Sequence, residues 1–292
     1  LKELENGMYE LKDHLSTQQQ IEAWFAEQPA GPATDFLRQG LLDLAANVLL
    51  FEVEGSQGTY YHFRFFMQHT ASYRHLDDST KKKLYDLYID YFFRRQDEGW
   101  KQEALQKLPA LKRSTNMLIC GEDLGLVPGC VPDVMQQLGI LSLEIQRMPK
   151  KLEQEFFHPK DAPYLSVVTP STHDMSTIRG WWEEDRSKTQ RFFNQQMGQV
   201  GEAPLQAEAW INKAILIQHL YSPAQWSIFQ LQDILGMSAT IRLQDPSTER
   251  INLPADPRHN WNYRMHITLE QLLNEQAFNA EWLSYVQASG RG

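Results

Sequence analysis

Cysteine is scarce in this sequence, with only Cys120 and Cys130 among 292 residues. Two thiols cannot build the framework of bridges that small secreted domains depend on, and their separation is not a metal-ligand spacing. A reduced, structural pair in an intracellular, cytoplasmic setting is the expectation. Basic charge is also in short supply, because 28 Lys and Arg stand against 37 Asp and Glu for a formal charge of −9. A phosphate backbone needs a basic face, so no nucleic-acid partner is expected. No apolar run approaches the roughly 18 residues of a bilayer span. The opening LKELENGMYELKDHL has neither the basic nor the apolar segment of a secretory leader. No membrane partner is expected. None of the nine histidines sits in an H-E-x-x-H pair, which leaves a zinc site without support. A glycine-rich phosphate loop and a G-x-S-x-G elbow are missing too.

What is present is the composition of a soluble globular protein, 42% hydrophobic and 22% charged, with material for a sizeable core. The length suits one large domain, a domain with an appendage, or part of something larger. A first residue of Leu1 rather than Met fits a processed or excised piece.

The first 80 residues have their own character, with polar spacers such as STQQQ, a PAGPAT stretch and an EGSQG turn. Apolar residues at helical spacing predict an amphipathic helix over 36–51, and 60–67 reads as a short strand. Residues 79–108 read as one long helical stretch that Pro109 disrupts, and the KKK run at 81–83 reads as a solvated helix face. Beyond it the pattern changes to short apolar runs alternating with helices. MLIC at 117–120 reads as a buried strand, and 131–138 as a helix with Pro132 in its first turn and Gly139 just past its end. Further strands are expected at 141–145, 164–168 and 226–231, with helices at 178–193 and 206–220. Such alternation implies right-handed βαβ units, a parallel sheet and the α/β class.

In a parallel βα array the ligand site lies at the carboxyl ends of the strands, and two polar clusters fall there. Glu122 and Asp123 follow the first of these strands in ICGEDLG. His173 and Asp174 follow the third in TPSTHD. About two βα units of ~25–30 residues separate them, so carboxylates from both would face one crevice. Paired carboxylates suit glycosidic-bond chemistry, in which one acid protonates the leaving oxygen and negative charge steadies an oxocarbenium ion. Helix capping is the alternative for both clusters. Trp181 and Trp182 either offer faces to sugar rings or pack in the core.

The wording of the sequence goes further than its spacing. CGEDLGLVPGCV at 120–131, LEIQRMP at 143–149, PSTHDMSTIRGWWEED at 170–185, FQLQDILGM at 229–237 and INLPADPRHNWNYR at 251–264 resemble the 4-α-glucanotransferases, or amylomaltases, of glycoside hydrolase family 77. FFRRQDEGWKQEALQKLPAL at 92–111 fits the plant-cytosolic-like subgroup of that family. The likeness runs in order from about Arg74 to Leu273. MST at 175–177 and Ala255 after Pro254 depart from the ordinary bacterial pattern and favour the same subgroup.

The resemblance implies the C-terminal part of a (β/α)8 TIM barrel of the α-amylase superfamily, spanning 76–292. Residues 1–75 would be a helical insertion at its N-terminal end. It implies a retaining transfer of an α-1,4-linked glucosyl unit from maltose or maltodextrins to glycogen or another glucan acceptor, without metal or organic cofactor. By motif match, Glu122 is the general acid/base. Asp174 stabilises the transition state, and His173, Asn252 and Pro254 contact sugars. The family's nucleophilic aspartate stands in an R-x-D-H type motif that this sequence lacks, and Asp90 in YIDYFF is only a visual mimic inside a helical stretch. The nucleophile and the first half of the barrel would therefore precede Leu1, and the isolated chain is expected to be inactive. Half a closed sheet would leave an unpaired edge that must dimerise, rearrange or be shielded by the inserted helices. A noncatalytic glucan-binding module and a retaining α-glucan hydrolase are the competing readings.

Overall fold

A computed structural model describes residues 1–3, 9–125, 127–151, 154–256, 258, 261 and 263–292. The chain divides into two compact units, Leu1–Gln96 and Asp97–Gly292. This division by packing is separate from the boundary at 75/76 between insertion and barrel that the resemblance implies.

In the first unit, β1 (Lys2–Glu3) pairs antiparallel with β2 (Tyr9–Glu10). The helices α1 (Gln18–Ala26) and α2 (Pro32–Ala45) then pack through Ile21, Phe25 and Leu41. Thr17 and Gln20 form a capping box at the start of α1, which satisfies donors the first turn leaves free. The helix expected over 36–51 thus starts and stops earlier. Its last residues instead form β3 (Leu50–Glu52), antiparallel to β4 (Tyr61–Phe63). A short α3 (Ala71–Arg74) precedes α4 (Asp78–Phe93). The reason α4 belongs with this unit is aromatic: Tyr88 meets Phe63 at 6.0 Å and Phe92 meets Phe65 at 5.4 Å.

The single long helix expected over 79–108 is two helices. Arg94 leaves helical geometry at φ −129°, ψ −66°, and α5 (Asp97–Arg113) begins after it. Pro109 does not end α5 but lies inside it. Proline in a helix interior removes one backbone bond, yet tertiary packing of the last turn outweighs that loss here. There α5 packs against α6 (Val131–Leu138), and Lys112 Nζ donates to Leu138 O. Pro132 in the first turn and Gly139 at φ +59° bound α6 as expected.

Three strands form a parallel sheet in the order β5 (Ser142–Ile145), β6 (Ser166–Thr169), β7 (Trp226–Ser227). MLIC was expected to be a buried strand, and the structure corrects this. The segment makes a single bridge, Cys120 to Leu141, while Met117 is 76% and Leu118 52% exposed. Strands of a parallel sheet are buried where helices cover both faces; this segment is largely uncovered and, among the described residues, bridges only to Leu141. The strand expected at 226–231 is likewise only two residues long before the chain turns into α10 (Leu231–Leu235).

Between β6 and β7 the chain forms α7 (Ile178–Glu184), α8 (Arg186–Gln195) and α9 (Ala209–Leu220). The helix expected over 178–193 breaks because Asp185 is extended and its Oδ1 accepts from Lys188 N at 3.0 Å, capping α8. The core of this unit gathers Ile178, Trp182, Phe192, Ile211, Ile215 and Leu235. Two helices not anticipated from sequence, α11 (Leu269–Asn274) and α12 (Gln276–Ala288), close the chain, and Phe278 of α12 joins that core. Trp181 and Trp182 are both buried against Phe192, and Trp182 Nε1 donates to Pro204 O at 2.9 Å. They are core residues and present no face to a ligand.

Candidate active site

The carboxyl ends of the parallel strands open on a cleft of about 760 Å³. Each strand contributes the residues just past its end, Glu122 after the Cys120 bridge, Met148 after β5, His173 and Asp174 after β6, and Phe229 and Gln230 after β7. This is where side chains from separate strands can converge on one ligand.

Glu122 and Asp123 are adjacent in sequence but serve different surroundings. Glu122 lines the cleft. Asp123 is buried behind it, where its Oδ1 accepts from Leu143 N at 2.9 Å and its Oδ2 pairs with Lys150 at 2.6 Å. Lys150 also reaches Glu144 at 2.7 Å. One ammonium thus pairs with two buried carboxylates and offsets part of the desolvation cost they would otherwise carry. Asp123 fixes the backbone edge and leaves Glu122 presented to the open side.

Asp174 is held by two neighbours. Asn252 Nδ2 donates to Asp174 Oδ1 at 2.7 Å, and His173 Nε2 lies 3.3 Å from Asp174 Oδ2. Asn252 N also donates to His173 O at 3.1 Å, so the two segments are joined through backbone as well as side chain. Pro254 is different. It sits exposed in a turn closed by Asp256 N to Leu253 O at 2.8 Å and is not among the residues lining the cleft. Proline at the second position of such a turn presets its backbone angle.

Beneath the loop after β6 lies a buried polar network. Arg147 donates from Nε to Pro170 O at 3.0 Å and from Nη2 to Ser171 Oγ and Ser176 O, each at 2.7 Å. Its guanidinium lies 5.0 Å from the centre of the Trp181 ring. Burial lowers the Arg147 pKa to about 10, while the negative charges of Asp233 and Glu184 oppose the shift. Asp233 accepts from Ile178 N at 2.7 Å, capping α7 from 55 residues away. Burial pushes its carboxyl upward, against that hydrogen bond and the Arg147 charge. Nearby, Arg179 and Glu249 form a buried ion pair, and Thr177 Oγ1 donates to Glu249 at 2.9 Å.

Of the residues expected from sequence, Glu122, His173 and Asp174 line one cleft and Asn252 is bonded to Asp174. Residues that sequence reasoning missed include Arg147, in LEIQRMP, and Arg250, just before INLP. Trp261 is another. It holds a left-handed φ of +47° with its ring centre 4.4 Å from that of His173. A bulky side chain at positive φ is uncommon, and nothing in the local sequence signals it. Among the described residues no group of three or more His, Cys, Asp and Glu side chains could hold a metal ion, and no helix is long and apolar enough to cross a membrane.

Comparison with known proteins gives the family of the chain. The glycoside hydrolase 77 family, described as 4-alpha-glucanotransferase, matches residues 20–269. The chain belongs to this family. It is 38% identical over 301 aligned positions to the 4-alpha-glucanotransferase DPE2 of Oryza sativa subsp. japonica, an alignment covering 100% of this chain and 31% of the rice protein. It is 32% identical over 179 positions to a 4-alpha-glucanotransferase of Chlamydia caviae, covering 59% of this chain and 33% of that one. Among solved structures, an amylomaltase from Streptococcus agalactiae in complex with acarbose aligns at a TM-score of 0.48 with 20% identity, covering 65% of this chain and 35% of that one. The chain therefore spans about a third of the length of these relatives.

Proposed function

We propose that this chain supplies one side of the active site of a 4-α-glucanotransferase of the plant-cytosolic-like subgroup. The reaction is a retaining transfer of an α-1,4-linked glucosyl unit from maltose or a maltodextrin to glycogen or another glucan acceptor, in the cytoplasm. The observation that carries this reading is the shared cleft, in which Glu122 meets the loop of His173 and Asp174 at the carboxyl ends of parallel strands. The parallel strands are read as neighbouring staves of a (β/α)8 barrel whose remaining staves lie outside these 292 residues.

In this mechanism Glu122 protonates the glycosidic oxygen as the donor bond breaks, then takes the proton of the acceptor hydroxyl as the new bond forms. Asp174 sets its charge against the oxocarbenium-like transition state and holds sugar hydroxyls, with Asn252 and His173 fixing its direction. His173, Asn252 and, at the rim, Pro254 contact the glucan. No metal or organic cofactor takes part. A retaining displacement also needs a carboxylate nucleophile, which this reading assigns to a segment beyond the present chain. The isolated chain is then inactive.

Glucose release from maltose with glycogen as acceptor tests the proposal, comparing this chain with a polypeptide extended upstream. Release by the extended protein only is the expected result. Release by this chain alone would place a nucleophile within these residues and overturn that part of the reading. Glucan binding by both without any transfer would favour a noncatalytic binding module, and release of reducing ends without acceptor would favour a hydrolase.

A further inference from the structure

Between the end of β6 at Thr169 and the start of α7 at Ile178, the segment that carries His173 and Asp174 has no regular structure of its own. Its geometry must come from side chains that hold it. Arg147 grips its two roots from below, at Pro170, Ser171 and Ser176. Those contacts leave the direction of the Asp174 carboxylate open, because that side chain is 49% exposed and burial does not restrict its rotamer.

Arg250 also holds this segment. Its Nε donates to Asn252 O at 3.0 Å, its Nη1 to Ser176 Oγ at 2.9 Å, and its Nη2 reaches Asp174 O at 3.4 Å. The Glu184 carboxylate, which accepts from Ser176 Oγ, lies 3.9 Å from Nη1. One planar guanidinium therefore spans two irregular segments, 174–176 and 250–252. The second returns the connection through Asn252 Nδ2 to the Asp174 carboxylate. A rigid fork with several donors in fixed directions can define the spacing of two loops in a way that a single ammonium cannot.

We propose that Arg250 is a positioning residue that aims the Asp174 carboxylate by locking the Asn252 segment onto the Asp174 loop. The proposal rests on the role given to Asp174 under Proposed function. Arg250 touches no reacting atom. It acts through Asn252, and its loss should lower turnover more than substrate affinity.

The test uses the complete transferase that contains this chain, with maltose as donor and glycogen as acceptor. Melting temperature, kcat and KM are measured for Arg250→Met, Arg250→Lys, Asn252→Ala and the Arg250→Met/Asn252→Ala double variant. Arg250→Met is expected to lose about ten- to a hundredfold in kcat, the scale of a misplaced catalytic group, with KM within about twofold. Arg250→Lys should recover part of that loss. The double variant should be no slower than the worse single variant, because both substitutions break one chain of contacts. Losses that multiply in the double variant, or native kcat in Arg250→Met, would overturn the proposal. Should Arg250→Met fail to fold, Arg250→Gln takes its place in the same cycle with the same criteria. Asp174→Asn is measured alongside. If it is inactive while Arg250→Met is unimpaired, only the positioning role fails; if it turns over normally, the assignment of Asp174 fails first and the clamp has nothing to aim.

Discussion

His219 gives the protein a pH-dependent stability whose size can be worked out. The imidazole is fully buried in α9, with Nδ1 donating to Ile215 O at 2.8 Å and Phe229 at 6.3 Å between ring centres. Burial lowers its pKa from 6.5 to about 4, partly opposed by hydrogen bonds to the backbone of Ile215 and Thr169. Above pH 6.5 neither the folded nor the unfolded chain binds this proton, and the full contribution is present. As pH falls, the unfolded chain takes up the proton first, so stability drops until the folded ring also protonates near pH 4. The gap corresponds to about 3 kcal/mol lost across that window. Urea denaturation at pH steps from 7 to 4 should show it as the difference between wild type and His219→Asn, whose amide can still donate to Ile215 O. His158, whose pKa burial and the nearby Lys160 also lower, is common to both proteins and cancels. Parallel stability curves for the two proteins would refute the reasoning and mean that the ring is hydrated in the folded state.

Three other expectations follow from single contacts. If the protein extended upstream carries out the proposed transfer, Glu122→Gln and Asp174→Asn should each lower its kcat by roughly two orders of magnitude or more, the range for loss of a general acid/base or a charge aimed at the transition state; near-native turnover in either would remove that residue from the proposed mechanism. Gly236 has an ordinary helical φ of −59°, but a Cβ there would clash with Asn212 Nδ2 and lie 2.9 Å from its Cγ. Gly236→Ala should therefore destabilise by about 1–3 kcal/mol in a thermal melt, and an unchanged melting temperature would show that Asn212 swings aside. Arg179→Met should cost about 3–5 kcal/mol in chemical denaturation by stranding Glu249, while Arg179→Met/Glu249→Met should regain most of it; equal losses in both would mean the charges do not depend on each other.

Local signals were legible where the chemistry that forms an element lies within it. Pro132 and Gly139 bounded α6 from sequence alone, and the polar groups after each apolar run located the cleft. Errors arose where partners are distant. MLIC has the composition of a core strand, but among the described residues it bridges only to Leu141, and Met117 and Leu118 lie exposed because nothing distant packs over them. Pro109 reads as a stop, yet packing between α5 and α6 carries the helix past it. Trp181 and Trp182 were ambiguous in sequence because burial, not residue type, decides whether a ring faces a ligand. Glu122, His173, Asp174 and Asn252 were named by motif, whereas Arg147 and Arg250 were not, because their roles exist only across gaps of 23 to 76 residues.

The opposite settings of Glu122 and Asp123 have a consequence for how this sequence can change length. Gaining or losing one residue between Gly121 and Leu124 would shift the register, so that a different side chain faced the cleft and the Lys150 pair was broken. Substitutions at this point can be absorbed one at a time, but an insertion or deletion alters the open and the buried side together. Length variation among descendants of this chain should therefore collect elsewhere, in turns such as the one at 54–58, which is mostly exposed and lies away from the cleft residues in sequence.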